Sequence, residues 1–408
     1  MRSSQPQALS LARAAARLLA LGALGAAVWL MAPALSAQPY LPEARDFEQP
    51  LPAVERVPSA ARAAEGEHAG EGSVTHVSPV IQAPARFDAA GIARELRPVE
   101  LRARTDGGEW SRWLEIANGD PAWFGGADEL QVRTRGWRPE GRLHYVNVSG
   151  DSAPEQGLLT QARETVNGAV VAVAGALSAD AAEANPAKPD IVSRRAWGAE
   201  RRRGGCEPRR RPDYGRVRAG VVHHTVGANS YSEAEAPSVV LAICRYHRNA
   251  LGWDDIGYQA LVDKYGNIYA GRDGGLGRPV VGAQAQGVND QTTGVSVMGT
   301  FTKRGITKAA MRGLTRWLSW KITKHGFTTK GRARLVSRGG PTAKFSEGHR
   351  FRTKRIVGHR RTNLTECPGN GLNRELDKLR RRVQNAIDKG GSKNPKDPKG
   401  PGGGGVGG

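Results

Sequence analysis

Apolar and polar positions follow two different periods along this chain, and the change of period divides it. Val99-Glu100-Leu101-Arg102-Ala103-Arg104 alternates with period two and ends at Asp106-Gly107-Gly108, the signature of a strand running into a turn. Trp110 to Ile116, Leu130 to Thr134 and Leu143 to Val148 read as further short strands. Together they predict a small all-β domain over residues 85–150. Its tryptophans offer sugar-binding faces, although tryptophans in small β domains more often fill the core.

Beyond residue 190 the two periods interleave. Arg218 to Val222 reads as a strand entering His223-His224-Thr225, and from Ala236 the spacing of Val239, Val240, Ile243, Cys244 and His247 is helical. Gly257 to Asp263 returns to a strand, and Tyr265-Gly266-Asn267 turns into Ile268-Tyr269-Ala270. Gly294 to Met298 is a strand, Thr307–Lys324 a helix, and a third helix follows Pro368 with Leu372, Leu376, Leu379, Val383 and Ile387. Strands interleaved with helices predict an α/β domain over 190–388, built on a central mixed sheet flanked by helices.

The remaining segments lack a sustained period. Residues 38–84 and 151–189 are rich in Ala and Pro and read as linkers, the second with a short helix near Ala169–Ala182. Residues 389–408 end in Lys, Pro and Gly and read as a disordered tail. At the front, Arg2, Arg13 and Arg17 precede an apolar run from Leu18 to Ala32, then Pro33 and small residues through Ala37. That order reads as a signal peptide over 1–37, with a retained membrane anchor as the alternative. Export, to the periplasm or beyond the cell, is the expectation.

Composition sharpens this picture in two places. The formal charge is +21, with 60 Lys and Arg against 39 Asp and Glu. Such a surplus attracts polyanions, and export turns the expectation from nucleic acid towards anionic envelope polymers. The three cysteines leave one unpaired, or committed to a metal, in an oxidising compartment. Cys206 and Cys244 are the better pair if Cys367 has another use, but sequence leaves open whether they approach.

Candidate chemistry lies at two strand ends. Val221-Val222 runs into His223, and Ile356-Val357-Gly358 runs into His359, with Cys367 eight positions later, before Pro368-Gly369. Two imidazoles and one thiolate suit tetrahedral zinc and leave its fourth position open, which is the catalytic rather than the structural arrangement. Each residue also has a plain reading: a strand-end histidine hydrogen-bonded in place, and a buried cysteine acting as a small apolar side chain.

Arg195-Ala196-Trp197-Gly198-Ala199, Val221-Val222-His223-His224-Thr225, Leu251-Gly252-Trp253-Asp254-Asp255-Ile256-Gly257-Tyr258, and Val357-Gly358-His359-Arg360 with Glu366-Cys367-Pro368-Gly369 occur in that order. Together, from about Ile191 to Val383, they resemble the peptidoglycan recognition protein and type 2 N-acetylmuramoyl-L-alanine amidase family. The resemblance implies zinc on His223, His359 and Cys367, with Tyr258 as a catalytic residue that orients water and stabilises an oxyanion. Thr365 matches a position that supplies a further hydrogen bond to that oxyanion. The implied substrate is the amide between N-acetylmuramic acid and the L-alanine of the peptidoglycan stem, and a monomer is expected. Arg361 and Gln259-Ala260 depart from the family's common pattern, which puts tuning of the metal site and strand packing beside the cleft in question. Relatives lacking the cysteine bind peptidoglycan without cutting it, so a non-hydrolysing binder is the alternative.

Overall fold

Long-range ladders join segments that look unrelated along the chain. A computed structural model describes residues 43–57, 75–93, 95, 97–116, 119–150 and 186–391. The signal-like segment, the Ala169–Ala182 helix and residues 392–408 lie outside the described residues. Among the described residues no helix is long and apolar enough to cross a membrane.

The N-terminal sheet is antiparallel. It comprises β1 (Arg45–Pro50), β2 (Glu55–Val57), β3 (Thr75–Val77), β4 (Ile81–Ile92), β5 (Val99–Arg104), β6 (Leu114–Ile116), β7 (Ala122–Arg135) and β8 (Arg142–Asn147). The order is β1-β8-β4-β7-β3-β2, and β5 pairs with both β7 and β6. Phe87, Ile92, Leu101, Leu130, Leu143 and Tyr145 form its core. The sheet therefore begins forty residues before the expected boundary, and three of its strands come from the segment assigned to a linker. The reason is physical. Strand β1 is an edge strand whose side chains are half-exposed or exposed, so it lacks a buried apolar row. It is held by its ladder to β8, from Arg45 opposite Asn147 to Pro50 opposite Arg142, and by Phe47 stacked on Tyr145 at 5.1 Å. Pairing across so many residues leaves no local signal.

Of the expected strand over Trp110 to Ile116, only β6 forms. Trp110 lies under the guanidinium groups of Arg102 and Arg104, and Trp113 under those of Arg102 and Arg133. These rings are capped by arginines, and of the tryptophans in this sheet Trp123 is the buried one.

The α/β domain is built on β9 (Ala219–His224), β10 (Ala260–Val262), β11 (Ile268–Ala270), β12 (Thr292–Val297) and β15 (Ile356–Gly358), in the order β11-β10-β12-β9-β15. Strands β10, β12, β9 and β15 are parallel and β11 is antiparallel, so the sheet is mixed. Helix α1 (Ala236–Asn249) packs on one face against Leu261 and Tyr269. Helices α2 (Lys308–Lys324), α3 (Asn370–Arg374) and α4 (Leu376–Gly391) cover the other, where Leu314, Trp317, Leu379 and Val383 meet Val222, Val262 and Val295. Thr307 caps α2, its hydroxyl accepting from Ala310 N–H at 3.0 Å. Burial on both faces explains why these strands read as continuous apolar runs.

The helix expected after Pro368 is two, because Leu372 and Leu376 enter the same core and carry the apolar spacing across the break. Its second part runs to Gly391, past the boundary placed at 388. An unexpected hairpin, β13 (Arg332–Val336) and β14 (Arg350–Lys354), packs Ala333, Leu335 and Phe351 onto Val221 and Val357. Its outward row is arginine and lysine, so Arg332–Val336 carries a period-two pattern that the sequence reading passed over.

Candidate metal-binding and active site

Register decides which side chains meet. Parallel pairing sets Val357 beside Val221 and Gly358 beside Val222, so the next residues on each strand, His359 and His223, emerge together on one face. Their rings lie 4.4 Å apart between centroids. Cys367 returns on the loop after β15, with its Sγ 3.7 Å from His223 Nδ1. Ligand atoms of His223, His359 and Cys367 all lie within 4.8 Å of one another, and all three residues are buried.

The surroundings keep both imidazoles neutral. Burial pushes His223 down to about 3 and His359 well below its usual range, while it pushes the Cys367 thiol up. His223 Nε2 lies 2.6 Å from Gln284 Oε1, and an amide oxygen only accepts, so Nε2 carries the proton and the Nδ1 lone pair faces Cys367. Gln284 is itself fixed, its Nε2 donating to Thr292 Oγ1 at 2.9 Å. His359 Nε2 is buried with no hydrogen-bond partner. An unsatisfied imidazole nitrogen, a lone pair aimed at a sulfur and a donor set of two nitrogens and one sulfur fit a zinc ion.

Two of the three donors, His359 and Cys367, border a cleft of about 350 Å³ lined also by His224, Trp253, Tyr258, Thr365, Asp120 and Glu115, and His223 lies behind them. Tyr258 is buried with its ring 5.1 Å from that of His223. Burial, then the neighbouring Asp120 charge, raise its hydroxyl well above the ordinary phenol range. Thr365 Oγ1 accepts from Cys367 N–H at 3.0 Å, which ties the cleft rim to the cysteine. His224 points to the opposite side of β9 from His223; its Nδ1 accepts from Phe301 N–H at 3.4 Å.

Residues 213–370 match the Amidase_2 family, described as N-acetylmuramoyl-L-alanine amidase. Peptidoglycan-recognition protein SC2 of Drosophila melanogaster is 31% identical over 156 residues, 38% of this chain and 70% of that protein. The chain belongs to the peptidoglycan recognition protein and type 2 amidase family. The N-acetylmuramoyl-L-alanine amidase of Homo sapiens is 30% identical over 45% of this chain and 27% of its own length. Among solved structures, Drosophila PGRP-LB aligns over 46% of this chain and 92% of its own, at 23% identity and a TM-score of 0.36.

Within this family fold, four of the residues singled out from sequence, His359, Cys367, Tyr258 and Thr365, border one cleft, and His223 touches it through His359, Cys367 and Tyr258. The departures from the family pattern lie elsewhere. Arg361 is exposed and donates to Arg352 O at 3.1 Å, away from the three donors. Gln259 is buried and satisfied, accepting from Gly294 N–H at 2.6 Å and donating to Val280 O at 2.9 Å, and Ala260 packs in the core. Sequence reasoning passed over Gln284, His247 and Asp120. Gln284 sits in a polar loop without a motif, and Asp120 belongs to the other sheet.

Proposed function

We propose that this chain is a zinc-dependent amidase that cleaves the bond between N-acetylmuramic acid and the L-alanine of the peptidoglycan stem. The observation that carries the reading is the convergence of His223, His359 and Cys367 beneath a cleft that also exposes Tyr258 and Thr365. Zinc held by those three residues supplies Lewis-acid polarisation of a carbonyl and acidifies water. The chain's own residues do the rest. Gln284 fixes the His223 ring and its tautomer, Tyr258 orients the attacking water, and Thr365 stands where a developing oxyanion needs a donor.

Peptidoglycan, glycan strand and stem peptide together, is the proposed partner. The Drosophila melanogaster relative that is 31% identical is named a peptidoglycan-recognition protein. Export is part of this proposal; the signal-like N-terminal sequence supports it, and the bonded pair Cys206–Cys244 fits an oxidising compartment. The test is digestion of purified sacculi by the mature protein with and without a zinc chelator, followed by mass spectrometry. Released stem peptides with a free N-terminal alanine, lost on chelation and restored by zinc, are the expected result. Intact sacculi that still retain the protein would replace this reading with a non-hydrolysing binder.

A further inference from the structure

The N-terminal sheet reaches into the cleft. Asp120, on the connection between β6 and β7, stands with both carboxylate oxygens against the Tyr258 hydroxyl, at 2.9 and 2.7 Å. It also lies 3.1 Å from His247 Nε2. His247 Nδ1 accepts from Gly257 N–H at 3.1 Å, so Nε2 bears the proton and donates to Asp120. One carboxylate from one sheet thus accepts hydrogen bonds from two groups of the other domain.

The seam that delivers Asp120 is built like a core rather than a removable plug. Trp123, Ala89 and Val146 of the N-terminal sheet share one buried cluster with α1. The Tyr246 hydroxyl donates to Ile92 O at 3.0 Å, and it occupies the space that a side chain at Gly91 would take. Arg245 forms a two-pronged ion pair with Asp46 at 3.1 and 3.0 Å. Ala228 N–H donates to Trp123 O at 3.0 Å, and the described residues of both sheets fall in one compact unit.

A tyrosine hydroxyl has one proton, and here it is committed to Asp120. Towards the cleft its oxygen therefore presents lone pairs. We infer that Asp120 is a positioning residue which makes the active site a product of both domains, holding the Tyr258 hydroxyl as an acceptor for the attacking water. Donation to the oxyanion then falls to groups other than Tyr258. This inference rests on the hydrolytic reading above and changes the role expected for the tyrosine, from donor to acceptor.

The test uses the full chain, wild type and the variants D120N, D120A, Y258F and D120A/Y258F, acting on a soluble muramyl peptide. D120N keeps shape and one acceptor but removes the charge, and thermal unfolding and zinc content check that the fold and metal site persist. The expected result is a loss in kcat of about 100-fold for D120A, the scale of a misplaced catalytic group, with KM little changed. D120N is intermediate, and D120A/Y258F is no slower than Y258F alone. In protein labelled with 13C at tyrosine Cζ, the Tyr258 signal, assigned by its absence in Y258F, moves upfield in D120A. Losses that multiply, a change confined to KM, a faster D120N enzyme or an unmoved Tyr258 signal each overturn the inference. A wild-type chain that releases no peptide refutes the hydrolytic reading and any catalytic use of the pair with it. The Tyr258 signal then tells that failure apart from a pair that never forms.

Discussion

Two groups of buried donors sit in the α/β domain, and in each the candidate atoms lie within 4.8 Å of one another: His223, His359 and Cys367, and Cys206, Cys244 and Asp255. By residue type and distance either might hold a metal. Their bonding separates them. Cys206 and Cys244 are joined as a disulfide, and Asp255 is ion-paired to Arg194 at 3.1 Å while accepting from the backbone N–H groups of Ile256 and Asp273. Every donor of that group is already used. In the other group Cys367 is a free thiol, His223 Nδ1 faces it, and His359 Nε2 has no partner. A buried imidazole nitrogen without a partner is costly, and a cation beside the Cys367 sulfur would satisfy it. The difference teaches that proximity nominates both groups, and the accounting of partners separates the one a cation would satisfy from the one whose atoms are already used.

The largest effect that tests this contrast is Cys367→Ala. It removes one of three ligands and the only one that carries charge when bound. Zinc content falls to near zero by elemental analysis, and hydrolysis of sacculi falls to background. The paired change Cys206→Ser with Cys244→Ser leaves zinc content intact and lowers stability instead. Closure of a loop with a sequence separation of 38 predicts a loss of roughly 4 kcal/mol, read by denaturant unfolding. If the serine pair loses zinc, or Cys367→Ala keeps it, the assignment of the two groups is reversed.

A smaller effect is expected at Gln284, which holds the His223 tautomer from behind. Gln284→Ala frees the ring to rotate and exchange tautomers, and zinc affinity falls by about 10- to 100-fold, measured by competition with a chromogenic chelator. Unchanged affinity would remove Gln284 from the site.

The same partner accounting explains how much was legible in the sequence. His223 and His359 each end an apolar β strand, and a strand end is a local feature. Their meeting depends on the β9–β15 register, yet both strands carry β-branched runs that mark them, so the α/β domain and its donors were accessible. Tyr258 came from a motif, since a buried aromatic on a strand end has no signature of its own. Asp120 was out of reach, because its contact with Tyr258 spans 138 positions and two sheets. Strand β1 failed for the same reason: Arg45–Pro50 has no apolar face, and only a partner near residue 145 reveals it. Local period records what a segment buries and does not record which distant segment it buries against.

The smallest expected effect concerns pH, and it separates the two groups without mutation. Disulfide sulfurs do not titrate, whereas buried imidazoles do. In the metal-free protein, burial holds His223 near 3, His224 near 4 and His359 well below the ordinary value of 6.5. An unfolded chain takes up protons at these histidines around pH 6.5, and the folded chain does not until far lower. The unfolded state therefore binds more protons as pH approaches and passes below that point, so stability is fully present only from about pH 7.5 upward and declines as pH falls through 6.5 towards the folded values. Between pH of about 7.5 and about 6.5 three such histidines predict a loss of about 1 kcal/mol, or roughly 2–4 °C in unfolding temperature for a domain of this size. Zinc shifts the whole curve upward by binding the folded state alone, and it steepens the dependence because protons and metal compete for the same nitrogens. Thermal scans of the metal-free and zinc-loaded chain across that window check both signs. A metal-free protein whose stability is flat with pH would mean that these imidazoles are not buried in solution, and the contrast between the two groups would lose its physical basis.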